Sequence, residues 1–164
     1  MRCKVLSLLA ALTLLAACES APETTANTGG AATATPATTP TQAGPRPGSQ
    51  QDLVANVGDR VFFNYDKFDV TPEARQTLQR QADWLKRYPN VTVTVEGHCD
   101  ERGTREYNLA LGERRANSAK NALVALGVPA NRVTTISYGK ERPAVVGSNE
   151  AAWAQNRRAV TVVN

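Results

Sequence analysis

The run VTVTVEGHCDERGTREYNLALGERRAN, residues 91–117, constrains the fold more than any other part of the chain. Val91, Val93 and Val95 alternate with Thr92 and Thr94, which is the period-two pattern of a strand with one buried face. Gly97 is expected to end that strand. Residues 98–105 are densely charged and contain Gly103, so they read as a loop, and helical spacing resumes near Glu106. The loop is therefore seated between a strand and a helix. On that helix Asn108, Leu111 and Arg115 are three and four residues apart and rise on one face. Gly112, Ala116, Ala119, Leu123 and Leu126 form the neighbouring small and apolar stripe, which belongs to a core. Polar side chains beside a core stripe form the edge of a pocket, so the stretch reads as a binding loop on a rigid seat.

The rest of the chain supplies the elements such a seat needs. Residues 60–65 read as a first strand. Thr71 and Pro72 give an N-cap followed by proline at the first helical position. Ala74, Leu78, Ala82 and Leu85 make an apolar stripe that Tyr88-Pro89-Asn90 stops. The second strand is expected at 91–96 and the second helix at 105–126, with Gly127 where a C-cap glycine belongs. A third strand is expected at 132–138, a short helix at 149–156 and a last strand at 157–163. Strands alternating with helices predict an α/β sandwich, in the α+β sense of one sheet covered mainly on one face.

The first 18 residues have a different logic. Arg2 and Lys4 precede an apolar run from Val5 to Ala17 that is too short for a bilayer, which needs about 20 residues, and so reads as a signal peptide over 1–17. Leu15-Ala16-Ala17-Cys18 looks like a bacterial lipobox, with Cys18 the lipid acceptor, and Glu19 after it favours export to the outer membrane. Residues 18–50 are Thr, Ala, Pro and Gly with almost no large apolar side chain, so they read as a disordered tether with a reach of roughly 30 Å if flexible. The folded domain is expected over 51–164. With Cys3 in the leader and Cys18 lipidated, Cys99 has no disulfide partner. The formal net charge is +4, but basic and acidic residues alternate without a stripe, and the leader carries two of the cations away. Nucleic-acid binding is not indicated.

The segments VFFNYDKFD (61–69), Cys99, Asp100, Gly103, Asn108, Leu111, Arg115 and Ala116, then SYGKERPAV (137–145) and NRRAV (156–160), resemble the OmpA-like cell-wall-binding domains. That family's motif, T-D-x-x-G-x-x-x-x-N-x-x-L-x-x-x-R-A, binds the diaminopimelate of the peptidoglycan stem peptide, and Cys99 stands where the motif has Thr. The resemblance implies a mixed four-stranded sheet and a peptidoglycan site made of Asp66, Asp100, Arg102, Asn108, Leu111 and Arg115. Asp100 would take the ammonium of the ligand and Arg115 its carboxylate, a role that suits the planar guanidinium fork. It further implies no enzyme activity and no cofactor, with TolB and other Tol proteins as partners during envelope constriction at division, and a lipid-anchored place in the outer membrane facing the periplasm.

The same residues admit other chemistry. From spacing alone, Asp100 and Arg115 would equally form a structural ion pair, worth only about 0 to 1 kcal/mol if exposed. The helix start near Thr104 to Glu106 would add backbone N–H groups to the anion site. His98 and Cys99 suggest a hydrolase dyad, but neighbours at a strand end point to opposite faces, and two ligands are too few for a zinc site. His98 is expected to hydrogen-bond at the pocket rim and Cys99 to be half-buried. Asp66 reads also as a turn residue, and Asn156, Arg157 and Arg158 precede the last strand, the two arginines reading either as a solvated strand edge or with a role in binding the wall or holding the third loop. Trp84 and Trp153 read as packing residues, and Tyr107 as pocket wall or core. A flagellar stator would share the wall-binding domain but requires a membrane-spanning helix.

Overall fold

The computed structural model describes residues 44–164; the expected signal peptide, the Cys18 anchor and most of the expected tether lie outside the described residues. Helices α1 (Gln50–Asn56), α2 (Pro72–Arg87), α3 (Arg105–Ala125) and α4 (Glu150–Asn156) alternate with strands β1 (Arg60–Phe62), β2 (Val93–His98), β3 (Val133–Gly139) and β4 (Arg158–Val163). The sheet order is β1-β4-β2-β3. β2 and β3 are parallel, and β4 runs antiparallel to both β1 and β2.

The core lies between the sheet and helices α2 and α3. Val61, Val93, Val95, Val133 and Ala159 from the strands meet Ala74, Leu78, Ala82, Leu85, Ala116, Ala119 and Leu123 from the helices. The two apolar helical stripes are thus the ones the residue spacing indicates, and the fold is the expected four-stranded mixed sheet.

Local chemistry sets the ends of the elements. The Thr71 side chain accepts from Ala74 N, and Pro72 opens α2. Thr104 caps α3 by accepting from Tyr107 N, and Asn149 caps α4 by accepting from Ala152 N. Gly127, at φ +94°, turns the chain out of α3, with its N–H on Val124 O and that of Val128 on Leu123 O.

Several boundaries differ from expectation, among them the start of β2, at Val93 rather than Val91. β1 stops at Phe62 rather than Tyr65, because the chain turns there into the loop that reaches the site. β2 does not end at Gly97 but continues to His98. Gly97 is inside the strand because α3 crosses it in backbone contact: a Cβ there would sit 1.8 Å from the Gly112 carbonyl oxygen. Helix α1 is an additional element, capped by Ser49 and tied to α2 by Trp84 Nε1, which donates to Asp52 Oδ2 at 2.9 Å.

Candidate functional site

At the C-terminal end of β2 the loop before α3, the loop after β1 and the first turns of α3 enclose a cavity of about 190 Å³ lined by Tyr65, Asp66, Cys99, Asp100, Arg102, Gly103, Tyr107, Leu111 and Arg115. Five of the six expected site residues therefore converge from two separate stretches of sequence. The sixth, Asn108, is 2% exposed and does not line the cavity. Its Nδ2 donates to Arg102 O at 2.7 Å and to Thr104 O at 3.0 Å. It shapes the loop from behind.

Arg115 is 1% exposed, one of the most buried large side chains of the molecule. Its Nε donates to Lys67 O, Nη1 to His98 O and Nη2 to Asn64 O, at 2.9, 2.9 and 3.2 Å. These bonds use three of the five N–H groups of a guanidinium and join α3 to the ends of β1 and β2. Among the described residues no carboxylate lies within ion-pairing distance of it, so the structural ion pair between Asp100 and Arg115 does not form. Burial, opposed by the nearby Asp100, lowers the Arg115 pKa from the usual arginine value. A desolvated cation without a counter-ion is costly, and it is a prepared site for an anion.

Asp100 is paired elsewhere. Its Oδ1 accepts from the backbone N and the Nε of Arg102, both at 3.1 Å. Its Oδ2 accepts from Arg102 Nη2 at 2.7 Å and Arg157 Nη1 at 3.4 Å. Burial pushes its carboxyl up, but the hydrogen bonds from Arg102 and Arg157 outweigh burial and hold it below the ordinary carboxylate value. Arg102 is stacked between two rings, 4.0 Å from the centroid of Tyr65 and 4.0 Å from that of Trp153.

Asp66 has φ +55°, the only positive value among described non-glycine residues. This conformation costs energy for a residue with a Cβ, and it sets the side chain in the cavity wall, where the carboxylate accepts a hydrogen bond from Tyr107 Oη. Asp66 is thus both the turn residue and a wall residue.

Several sequence readings need correction. His98 is not at the rim: it is 2% exposed, does not line the cavity, and neither ring nitrogen has a hydrogen-bond partner among the described residues. Its Nε2 is 3.6 Å from Glu96 Oε2, and burial drives its pKa down to about 4. It lies on the opposite side of the strand end from Cys99, as alternation demands. Cys99 is fully rather than half buried. Its Sγ donates to Asn108 O at 3.3 Å, and burial pushes the thiol up to about 11. The backbone of Thr104 to Glu106 does not line the cavity. Arg157 and Arg158 are buried, not a solvated edge. Arg157 reaches Phe63 O, Asp100 and Glu150.

Sequence reasoning missed the functional placement of Tyr65 and Trp153. Trp84 packs in the core, edge-on to Tyr88, but Trp153 covers Arg102 and donates from Nε1 to Glu101. No spacing rule links positions 65, 102 and 153. The only signal in the sequence was the occurrence of an aromatic in each of the two segments that flank the charged loop.

The domain is thus a small open α/β sandwich with a charged, two-signed cavity at the strand ends. A family profile described as "OmpA family" matches residues 62–157. The peptidoglycan-associated lipoprotein of Agrobacterium fabrum is 62% identical over 117 residues, which cover 71% of this chain and 66% of that protein, just under two thirds. That of Brucella melitensis is 58% identical over 118 residues, 72% of this chain and 70% of the relative. The crystal structure of the peptidoglycan-associated lipoprotein from Burkholderia pseudomallei superimposes with a TM-score of 0.63 at 43% identity, covering 65% of this chain and 90% of that one. The chain belongs to the OmpA family, among the peptidoglycan-associated lipoproteins.

Proposed function

We propose that this protein is a non-enzymatic outer-membrane lipoprotein that holds peptidoglycan non-covalently by the diaminopimelate of an uncross-linked stem peptide. The observation that carries this reading is Arg115: a buried guanidinium without a carboxylate partner among the described residues, in the lining of a cavity that also carries Asp66 and Asp100. The distal end of diaminopimelate bears one carboxylate and one ammonium on the same carbon. Its carboxylate would take the N–H groups of Arg115 left over from the three carbonyls. Its ammonium would face the acidic wall, while Leu111 and the ring of Tyr107 contact the methylene stem. A cavity of about 190 Å³ suits one amino-acid side chain and is too small for a disaccharide.

The names of the relatives support the wall and the lipoprotein parts of this reading. The signal peptide over 1–17, lipidation of Cys18, the tether and the domain boundary near residue 51 remain part of the proposal, as do the outer-membrane location and alternate binding to the wall and to TolB in the Tol system. A single site of this kind would bind weakly, with affinities of millimolar to micromolar, about −4 to −8 kcal/mol. Many tethered copies on a polymeric ligand would raise the effective strength.

The test is co-sedimentation of the purified protein with sacculi, with and without free meso-diaminopimelate. The reading predicts that the protein pellets with the wall and that the free amino acid releases it. Retention on sacculi at saturating diaminopimelate would refute it.

A further inference from the structure

Asp100 has no acceptor position free. An ionised carboxylate offers about four lone-pair sites, and here Oδ1 receives two donors and Oδ2 two more. A ligand ammonium reaches Asp100 only if one of these donors leaves. Arg157 is held in place: it is 6% exposed and also bonds Phe63 O at 3.1 Å and Glu150 Oε1 at 2.6 Å. Arg102 is different. Its side chain is 30% exposed, its guanidinium donates to no backbone carbonyl among the described residues, and apart from Asp100 it is retained by the faces of Tyr65 and Trp153 and by a distant Glu150 oxygen at 4.0 Å.

We propose that Arg102 is an internal competitor for Asp100: stacked between Tyr65 and Trp153, its guanidinium occupies in the unliganded protein the positions that the ammonium of a zwitterionic ligand requires, and binding exchanges one cation for the other. The inference rests on the reading of the cavity as a diaminopimelate site, and it deepens that reading. The resemblance counts Arg102 among the ligand contacts; the geometry makes it the group the ligand displaces. Asp66, whose carboxylate accepts only from Tyr107 Oη among the described residues, takes the incoming ammonium first. The exchange keeps Asp100 paired throughout, so the buried carboxylate is never left without a counter-ion.

The exchange also has a reporter. When the guanidinium leaves, Trp153 loses the cation over its ring, and the emission of that tryptophan changes. Trp84 is 2% exposed beneath α1 and stays as it is.

The experiment is calorimetric titration of the purified protein with meso-diaminopimelate, for the wild type, Arg102→Gln and Trp153→Leu, with tryptophan emission followed in parallel. The proposal predicts that Arg102→Gln binds roughly tenfold tighter, and that Trp153→Leu, which loosens the stack without touching the cavity, binds tighter by a smaller factor. Wild-type emission changes on saturation, and that of Arg102→Gln does not. Equal or weaker binding by a folded Arg102→Gln overturns the proposal and makes Arg102 an ordinary contact. Unchanged wild-type emission at saturation overturns it independently, even if the variants fold poorly. A folded wild type that does not bind diaminopimelate at all refutes the reading of the cavity, and this inference with it.

Discussion

Gly97 of β2 and Gly112 of α3 meet backbone to backbone, so close that a Cβ on Gly97 would lie 1.8 Å from the Gly112 carbonyl oxygen. This contact sets how deeply α3 sits on the sheet. One turn further along α3, Arg115 then lies within reach of the carbonyl of His98, at 2.9 Å. Depth of packing and position of the guanidinium are one fact.

Gly97→Ala should therefore be among the most damaging single substitutions in the domain. The clash is with backbone and has no rotamer escape, so a loss of about 3 kcal/mol or more is expected. Gly112→Ala meets first the Ser137 hydroxyl, at 2.4 Å, which can rotate, and should cost less. Chemical denaturation of both variants measures the order.

His98 predicts a pH dependence. Burial lowers its pKa from 6.5 to about 4, so between these values the unfolded chain takes up a proton that the native protein refuses. Stability from this residue is complete above about pH 6.5 and is lost as pH falls towards 4. Glu96, Arg142, Arg158 and the ring of Tyr138 surround it. His98→Leu should remove this part of the acid slope, of the order of 2 kcal/mol, and cost little at pH 7, because neither ring nitrogen has a bond to lose. Denaturation midpoints of the two proteins at pH 7, 5.5 and 4.5 give the difference curve, which should open in favour of the variant as pH falls.

Cys99 should be inert. A thiol pushed up to about 11 by burial holds almost no thiolate at pH 8, so alkylation by iodoacetamide should be more than about tenfold slower than for an exposed cysteine. Cys99→Ser keeps a donor for Asn108 O and should retain wall binding at a stability cost of about 1 kcal/mol. Loss of binding with an intact fold would return the thiol to the list of working groups.

The anchor is open to a direct check. If Cys18 carries lipid, Cys18→Ser should yield unprocessed or soluble protein, since two or more acyl chains make membrane attachment stable where one is marginal. Membrane fractionation that still finds the variant firmly in the outer membrane contradicts lipidation.

The parts of the fold that were legible in the sequence are those where pattern is local. The alternation of Val91 to Val95, the stripe from Ala74 to Leu85 and the cap at Thr71 each act within a few residues. Helix α1 was not legible because QQDLVAN places a single buried apolar side chain, Leu53, on the core, and its other ties are to distant residues, Asp52 to Trp84, 32 positions away, and Gln50 to Thr161 and Val163 of β4. Arg132 illustrates the same limit. It read as the start of a strand, yet its guanidinium gathers the carbonyls of Leu85, Tyr88 and Val91. At the site, the spacing of Asn108, Leu111 and Arg115 placed all three on one face and all three are buried, but spacing does not tell the cavity residues Leu111 and Arg115 from Asn108, which holds the loop. The pairing of Asp100 with Arg102 is local, but its contact with Arg157 depends on the return of the chain into β4, 57 positions away, which no local pattern encodes.

The burial of Arg115 also governs how its role can be measured. Arg115→Ala would remove three bonds to carbonyls that join α3 to two strand ends, so folding and binding would fail together. The ligand can be changed instead. Isothermal titration of the protein with a stem tetrapeptide containing meso-diaminopimelate, against the same peptide with lysine in its place, removes only the distal carboxylate assigned to Arg115. Charge-assisted hydrogen bonds contribute about 1.5 to 3 kcal/mol, so the lysine peptide should bind at least about tenfold more weakly, with the protein untouched. Equal affinity for the two peptides would contradict the assignment of this cavity to the zwitterionic end of diaminopimelate.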